Sequence, residues 1–277
     1  MTIHVYGDSF GADHDEGTWP WKLSKLQKEK LICNAVGGTG PNHALEKFFN
    51  HLENKKIKDY DKVVILLSDQ KRLDFPFTKE FYSGIFRIGS DDPLDEIINR
   101  TLDQQREWNI KNRGEDMYEY GKEIQFMAKS LGPMFVYENL KNILLLKFIA
   151  DQYKKTRFIV FTCFTLNNCL QHYTNFRVKS LMMLMNMNLD LIQGDNFDYI
   201  KTPVISMAGM RAGDEKKGGK NHMTIEDNMR FAQLVYDIIN FNDYDTSWFA
   251  DDYYVDGVEI DRIGERRDKR ETFFLYE

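Results

Sequence analysis

The sequence predicts an α/β protein built on a parallel sheet, and three observations predict it. Short apolar runs at residues 2–6, 31–33, 62–67, 157–161 and 203–207 have the length of strands, and stretches between them carry apolar residues at helical spacing. The first two strand-to-helix junctions, Gly7-Asp8-Ser9 and the glycine-rich segment 34–42, each follow a strand and precede a helix, so both face the carboxyl edge of the sheet. A chain of 277 residues has room for one large domain of this kind with additions.

Taken in order, residues 2–6 form the first strand, with His4 inside it as a core histidine. Pro20 sits in the first turn of a short amphipathic helix that continues through 22–26, where its fixed φ suits a helix start. Residues 31–33 read as a buried strand, 34–42 as a turn, 43–52 as a helix and 62–67 as the third strand. The alternation then breaks. Residues 74–134 are long, polar and rich in aromatics, with helical patterns near 93–108 and 115–131, and read as an insertion able to roof a site and set substrate choice. An amphipathic helix over 137–153, a buried strand at 157–161, a methionine-rich helix over 178–191, a fifth strand at 203–207 and a last helix over 229–240 complete a domain spanning 1–241. The methionines Met182, Met183, Met185 and Met187 read as core filling. Residues 242–277 are a separate extension: Asp256-Gly257 between alternating runs signals a β-hairpin, 262–270 is a charge run, and 272–276 has the pattern of a final strand.

Chemistry concentrates at the first junction. A serine just past the end of the first strand is placed where loops and helix N-termini can stabilise developing negative charge, which makes Ser9 the candidate nucleophile. The alternative is ordinary turn chemistry, with Ser9 capping the segment that follows. Among six histidines, His222 stands in the loop before the last helix, whereas His14, His43, His51 and His172 have no comparable context.

These blocks together, Gly7-Asp8-Ser9-Phe10, Thr18-Trp19-Pro20, the Asn34–Asn42 turn and Asn221-His222 before the last helix, resemble the SGNH (GDSL-type) hydrolases, and in particular their divergent bacteriophage-encoded members. The resemblance covers roughly the first fifty residues and the later helix. It implies a three-layer α/β/α architecture with a flavodoxin-like, five-stranded parallel sheet. It also implies Ser9 as nucleophile and, through its own N–H, as one oxyanion donor; Gly38 as a second donor with Gly40 as its competitor; and His222 as general base. Asp8 and Asn42 belong to the motifs and enter the implied oxyanion and substrate-binding set.

Two departures from the pattern matter. The family usually places an aspartate two or three residues before the histidine, where it fixes the imidazole tautomer. Here those positions are Lys220 and Gly219, and Asp214 is the nearby acid that could fold back in its place. The third strand leads into Ser68-Asp69-Gln70-Lys71-Arg72 in place of the family's Gly-x-Asn-Asp, leaving Gln70 or Arg72 as the substitute donor; Arg72 would favour an anionic substrate. A Ser-His dyad, an irregular triad and an inactive site all remain open on these residues.

Other chemistries find little support. Gly7-Asp8-Ser9-Phe10-Gly11 fits the nucleophile elbow of α/β-hydrolases, but that elbow follows several strands and only one precedes it here. Gly37-Gly38-Thr39-Gly40 lacks the residues of a P-loop and the spacing of a dinucleotide fingerprint. Asp13-His14-Asp15-Glu16 reads as a solvated acidic cluster, so neither a metal nor a cofactor is expected. A net charge of -6 argues against nucleic acid as a partner. No apolar run approaches a membrane span, no signal-peptide pattern opens the chain, and an odd set of three cysteines, Cys33, Cys163 and Cys169, suits reduced, packed thiols. The expectation is a protein made in the cytoplasm. Its expected partner is an ester substrate, for example an O-acetylated carbohydrate, and the extension is expected to dock a second copy or a virion component by edge pairing. The competing expectation is a fold retained for binding or structure, such as a virion component, with catalysis impaired.

Overall fold

The computed structural model describes residues 1–12, 16–37, 39–68, 141–163, 193–200, 204, 223–242 and 245, and the backbone of four short strands at 74–75, 82–83, 252–255 and 258–261. In chain order these are β1 (Thr2–Tyr6), α1 (Trp19–Gln27), β2 (Lys30–Cys33), α2 (Pro41–Glu53), β3 (Lys62–Leu67), β4 (Asp74–Phe75), β5 (Tyr82–Ser83), α3 (141–152), β6 (Arg157–Thr162), β7 (Phe197–Ile200), α4 (Ile225–Phe241), β8 (Asp252–Val255) and β9 (Val258–Asp261).

Five strands form one sheet in the order β2-β1-β3-β6-β7, and every neighbouring pair is parallel. A parallel sheet has both faces covered, so its central strands are apolar without interruption. Val63 to Leu67 of β3 are all fully buried. Successive side chains go to opposite faces. Val64 and Leu66 join Ile3, Val5, Ile159 and Phe161 in a core closed by Trp19 and Leu23 of α1 and by Phe231 and Val235 of α4. Val63, Ile65 and Leu67 join Tyr6, Phe158 and Val160 in a second core closed by Ala44 and Phe48 of α2 and by Ile143 and Leu146 of α3. The result is the expected three-layer α/β/α arrangement, with each fully buried large side chain contributing about 1.5–3 kcal/mol.

The helix ends follow from local chemistry. Pro20 and Pro41 occupy the first turns of α1 and α2. Thr224 caps α4 by accepting from the Asp227 N–H at 3.0 Å, and Glu226 and Asp227 face the positive end of that helix.

Two strand expectations need correction. The fifth strand of the sheet is Phe197–Ile200, and among the described residues of the expected 203–207 run, Val204 is helical. Asp198 concealed it: a carboxylate inside a short apolar run reads as loop, yet it is buried and paired with Arg157 of neighbouring β6 at 2.5 Å. The strand at 30–33 is half-buried because it forms an edge of the sheet. In the extension, β8 and β9 pair antiparallel with Val255 opposite Val258, which leaves Asp256-Gly257 as the two-residue connection of a hairpin. Within residues 74–134, β4 and β5 form a second antiparallel pair, ahead of the two stretches where helical patterns were expected. The helices expected at 93–108, 115–131 and 178–191, the charge run at 262–270 and the strand at 272–276 lie outside the described residues.

Candidate functional site

The sheet order reverses between β1 and β3: the chain leaves β1 toward β2 on one side and then crosses to β3 on the other. Such a reversal opens a crevice beyond the carboxyl ends of the two strands, the usual ligand position in open α/β sheets. Gly7-Asp8-Ser9 leaves β1 at this point, Ser68 leaves β3, Cys163 leaves β6 and residues 34–37 leave β2.

At Gly7 the backbone has φ +154°, and a Cβ would fall 2.8 Å from the Cβ of Leu66, so the close approach of β1 to β3 requires glycine. Asp8 is fully buried. Its Oδ1 accepts from the Phe10 N–H at 3.0 Å and from the Cys163 thiol at 3.4 Å, and its Oδ2 accepts from the Ser68 hydroxyl at 2.5 Å. The Asp8 carbonyl accepts from the N–H groups of Gly11 and Ala12 at 3.0 and 2.8 Å, closing the turn. One carboxylate thus ties together the ends of β1, β3 and β6. The next residue, Ser9, is half-buried in that turn.

The second loop is fastened to the first. The Val36 N–H donates to the Gly7 carbonyl at 3.0 Å, and the buried Thr39 hydroxyl donates to the Val36 carbonyl at 2.7 Å and to the Gly7 carbonyl at 3.4 Å. Gly37 lies against Ser9: a Cβ on it would stand 3.8 Å from the Ser9 Cβ. Gly40, buried, is the N-cap of α2, and Asn42 is exposed in the first turn of that helix. The positive end of α2 therefore follows the loop that passes beside Ser9, an arrangement suited to an anion or oxyanion.

Of the residues singled out from the sequence, the structure brings Ser9, Asp8, Gly37 and Gly40 to one sheet edge, whereas Gly38, Gln70, Arg72, Asp214 and His222 lie outside the described residues. The residues that directly follow His222 are described: Met223 is buried in the core beneath α4, and Thr224 caps the helix. Sequence reasoning missed Ser68, Thr39 and Cys163 as partners of the nucleophile loop; their signal was only that each follows or flanks an apolar strand at its carboxyl end.

Other histidines serve the opposite core. The His4 Nε2 lies 3.3 Å from the Asp61 carboxylate, and His51 Nδ1 meets the Tyr6 hydroxyl at 2.9 Å. Burial lowers the pKa of His4, against the raising effect of Asp61, and burial pushes the Tyr6 phenol up. Among the described residues, no three His, Cys, Asp or Glu side chains are grouped to hold a metal ion, and no helix is long and apolar enough to cross a membrane. Cys33 and Cys163 are thiols.

No family model matches the chain, and no curated protein matches it. Among solved structures it is similar to a lipolytic protein of the G-D-S-L family from Desulfitobacterium hafniense DCB-2, at 13% identity and a TM-score of 0.31 over 84% of this chain and 95% of that one. It is also similar to a carbohydrate esterase whose active site displays divergent catalytic and non-catalytic binding functions, at 12% identity and a TM-score of 0.35 over 84% of this chain. A third is the acetyl xylan esterase Est2A from the rumen bacterium Butyrivibrio proteoclasticus, at 10% identity and a TM-score of 0.38 over 87% of this chain. The matches span 63% and 64% of the lengths of these two esterases.

Proposed function

We propose that the protein is a serine-dependent ester hydrolase, with Ser9 as nucleophile and His222 as general base. The observation that carries this reading is the position of Ser9, half-buried in a turn at the reversal of the sheet and beside the loop that leads into α2. In the proposed reaction His222 takes the Ser9 proton as Oγ attacks the acyl carbonyl, and returns it to the departing alkoxide; water then attacks the acyl-enzyme with His222 again as base. The N–H of Ser9 and that of Gly38, or of its competitor Gly40, hold the oxyanion, each worth about a hundredfold to a thousandfold in rate. Arg72 would select substrates bearing a negative charge, and Asp214 would orient His222 if the 214–221 segment folds back. Short acyl esters, including O-acetylated sugars, are the proposed substrate class.

A second reading, a binding or structural protein on the same fold, is favoured by two specific features. Lys220 and Gly219 stand where an orienting aspartate would be, and the side chain that leaves β3 is Ser68, whose hydroxyl is committed to Asp8. Under that reading the β8–β9 hairpin would recruit a second copy or another protein by its edge.

Hydrolysis of a short acyl ester by the wild type, Ser9→Ala and His222→Ala at equal concentration separates the two. The hydrolase reading predicts that each substitution lowers kcat by about a thousandfold or more. Wild-type turnover no faster than that of either variant, with acetylated sugars included, gives the binding reading.

A further inference from the structure

The two N–H groups of Trp19 reach in different directions. Its indole Nε1–H donates to the Phe10 carbonyl at 2.8 Å, one residue past Ser9. Its backbone N–H donates at 2.8 Å to Oδ1 of Asn228, 209 positions later in the chain. Asn228, fully buried in the first turns of α4, directs Nδ2 to the carbonyls of Met223 at 3.3 Å and Thr224 at 3.0 Å. Met223 and Thr224 are the two residues that follow His222.

We propose that Trp19 and Asn228 are positioning residues, a buried brace that holds the Ser9 turn in register with the chain entering from His222; the inference rests on the reading of these two as nucleophile and base. Burying a primary amide in a helix costs stability unless its hydrogen bonds are made, and an apolar residue at 228 would pack in the same core without that cost. Asn228 makes bonds on both sides of its amide, and their ends are the two segments the chemistry needs to align. At the start of α1 the Trp19 N–H has no acceptor within its own helix, so the bond to Asn228 also satisfies a donor that would otherwise be orphaned. The surroundings are dry: Trp19 is fully buried and meets Phe231 edge to face at 4.8 Å, and Phe231 meets Phe161 at 5.0 Å. Hydrogen bonds in such a setting resist displacement, and an error of about 1 Å in the placement of a reacting group can cost a hundredfold in rate.

Two conservative variants test the brace. Trp19→Phe removes the indole donor and keeps a ring in place. Asn228→Asp keeps the acceptor for Trp19 and removes the donors to residues 223 and 224. Phe231→Leu, which loosens the same packing without touching a brace bond, is the control for a merely structural role. Two readouts are taken on each folded protein: kcat and KM for a short acyl ester, and the imidazole NMR signal of His222 with and without Ser9→Ala. The expected result is a fall in kcat of about 10- to 100-fold at unchanged KM in both brace variants. It comes with loss of the Ser9-dependent shift of the His222 signal, while Phe231→Leu changes neither.

If brace variants keep both wild-type kcat and that shift, or Phe231→Leu alters them equally, the brace is overturned and the hydrolase reading stands. If the wild type hydrolyses no ester in a Ser9-dependent way, yet shows the shift and the variants lose it, the brace stands and the hydrolase reading falls. A wild-type His222 signal indifferent to Ser9→Ala overturns the brace, and the hydrolase reading then stands or falls on Ser9- and His222-dependent ester turnover alone.

Discussion

Around Ser9, each residue's role is set by what it faces. Gly7→Ala would place a methyl group 2.8 Å from the Cβ of Leu66 at a backbone angle that alanine disfavours, so we expect a loss of about 1–3 kcal/mol, read as a lower urea midpoint at unchanged slope. Asp8→Asn exchanges an acceptor for a donor opposite the Ser68 hydroxyl or the Phe10 N–H, and should cost about 1–3 kcal/mol. Pairing it with Ser68→Ala in a double-mutant cycle should show coupling between the two, whereas additive losses would mean that the short contact contributes little. Gly7, Asp8 and Ser9 are legible in the sequence because a strand, a glycine and a small polar residue in succession form a local pattern. Their partners are not: Ser68 and Cys163 lie 60 and 155 positions from Asp8, and Asn228 lies 209 from Trp19, so only the fold joins them.

Elements were legible where their pattern was unmixed. The third strand occupies 62–67 as its unbroken apolar run predicts, and Asp-Gly between alternating residues marks the β8–β9 hairpin. β7 was hidden by Asp198, whose carboxyl is pushed up to about 6 by burial, against the lowering effect of Arg157. An acid with a raised native pKa binds more protons in the folded state between its unfolded value of 3.8 and about 6, so its contribution to stability falls as pH rises through that window. His4 and His51 act in the opposite sense: burial lowers their pKa values, so their contribution is lost as pH falls below the ordinary 6.5. The difference in unfolding free energy between wild type and Asp198→Asn isolates the aspartate. It should shift against the wild type from pH 4 to 6 and stay level above pH 7; a difference flat from pH 4 to 7 would mean that Asp198 is not perturbed.

Across the whole molecule, the sheet order does the most to make a site. Placing β1 between β2 and β3 brings two early loops, and the end of β3, to one crevice, and the two helical layers close both faces of the sheet behind it. That architecture was legible because strand and helix patterns alternate through the first 70 residues, where connections are short. Through 74–134 and 164–192 long aromatic and methionine-rich stretches carry helical periodicity, and the helices expected there lie outside the described residues. The central claim is that this crevice activates Ser9, and covalent capture tests it most directly. Treatment with an alkyl fluorophosphonate, followed by intact mass and peptide mapping, should give one adduct, on residue 9, absent from Ser9→Ala and formed much more slowly by His222→Ala. No adduct, or labelling at residue 9 whose rate is indifferent to His222→Ala, would contradict the account.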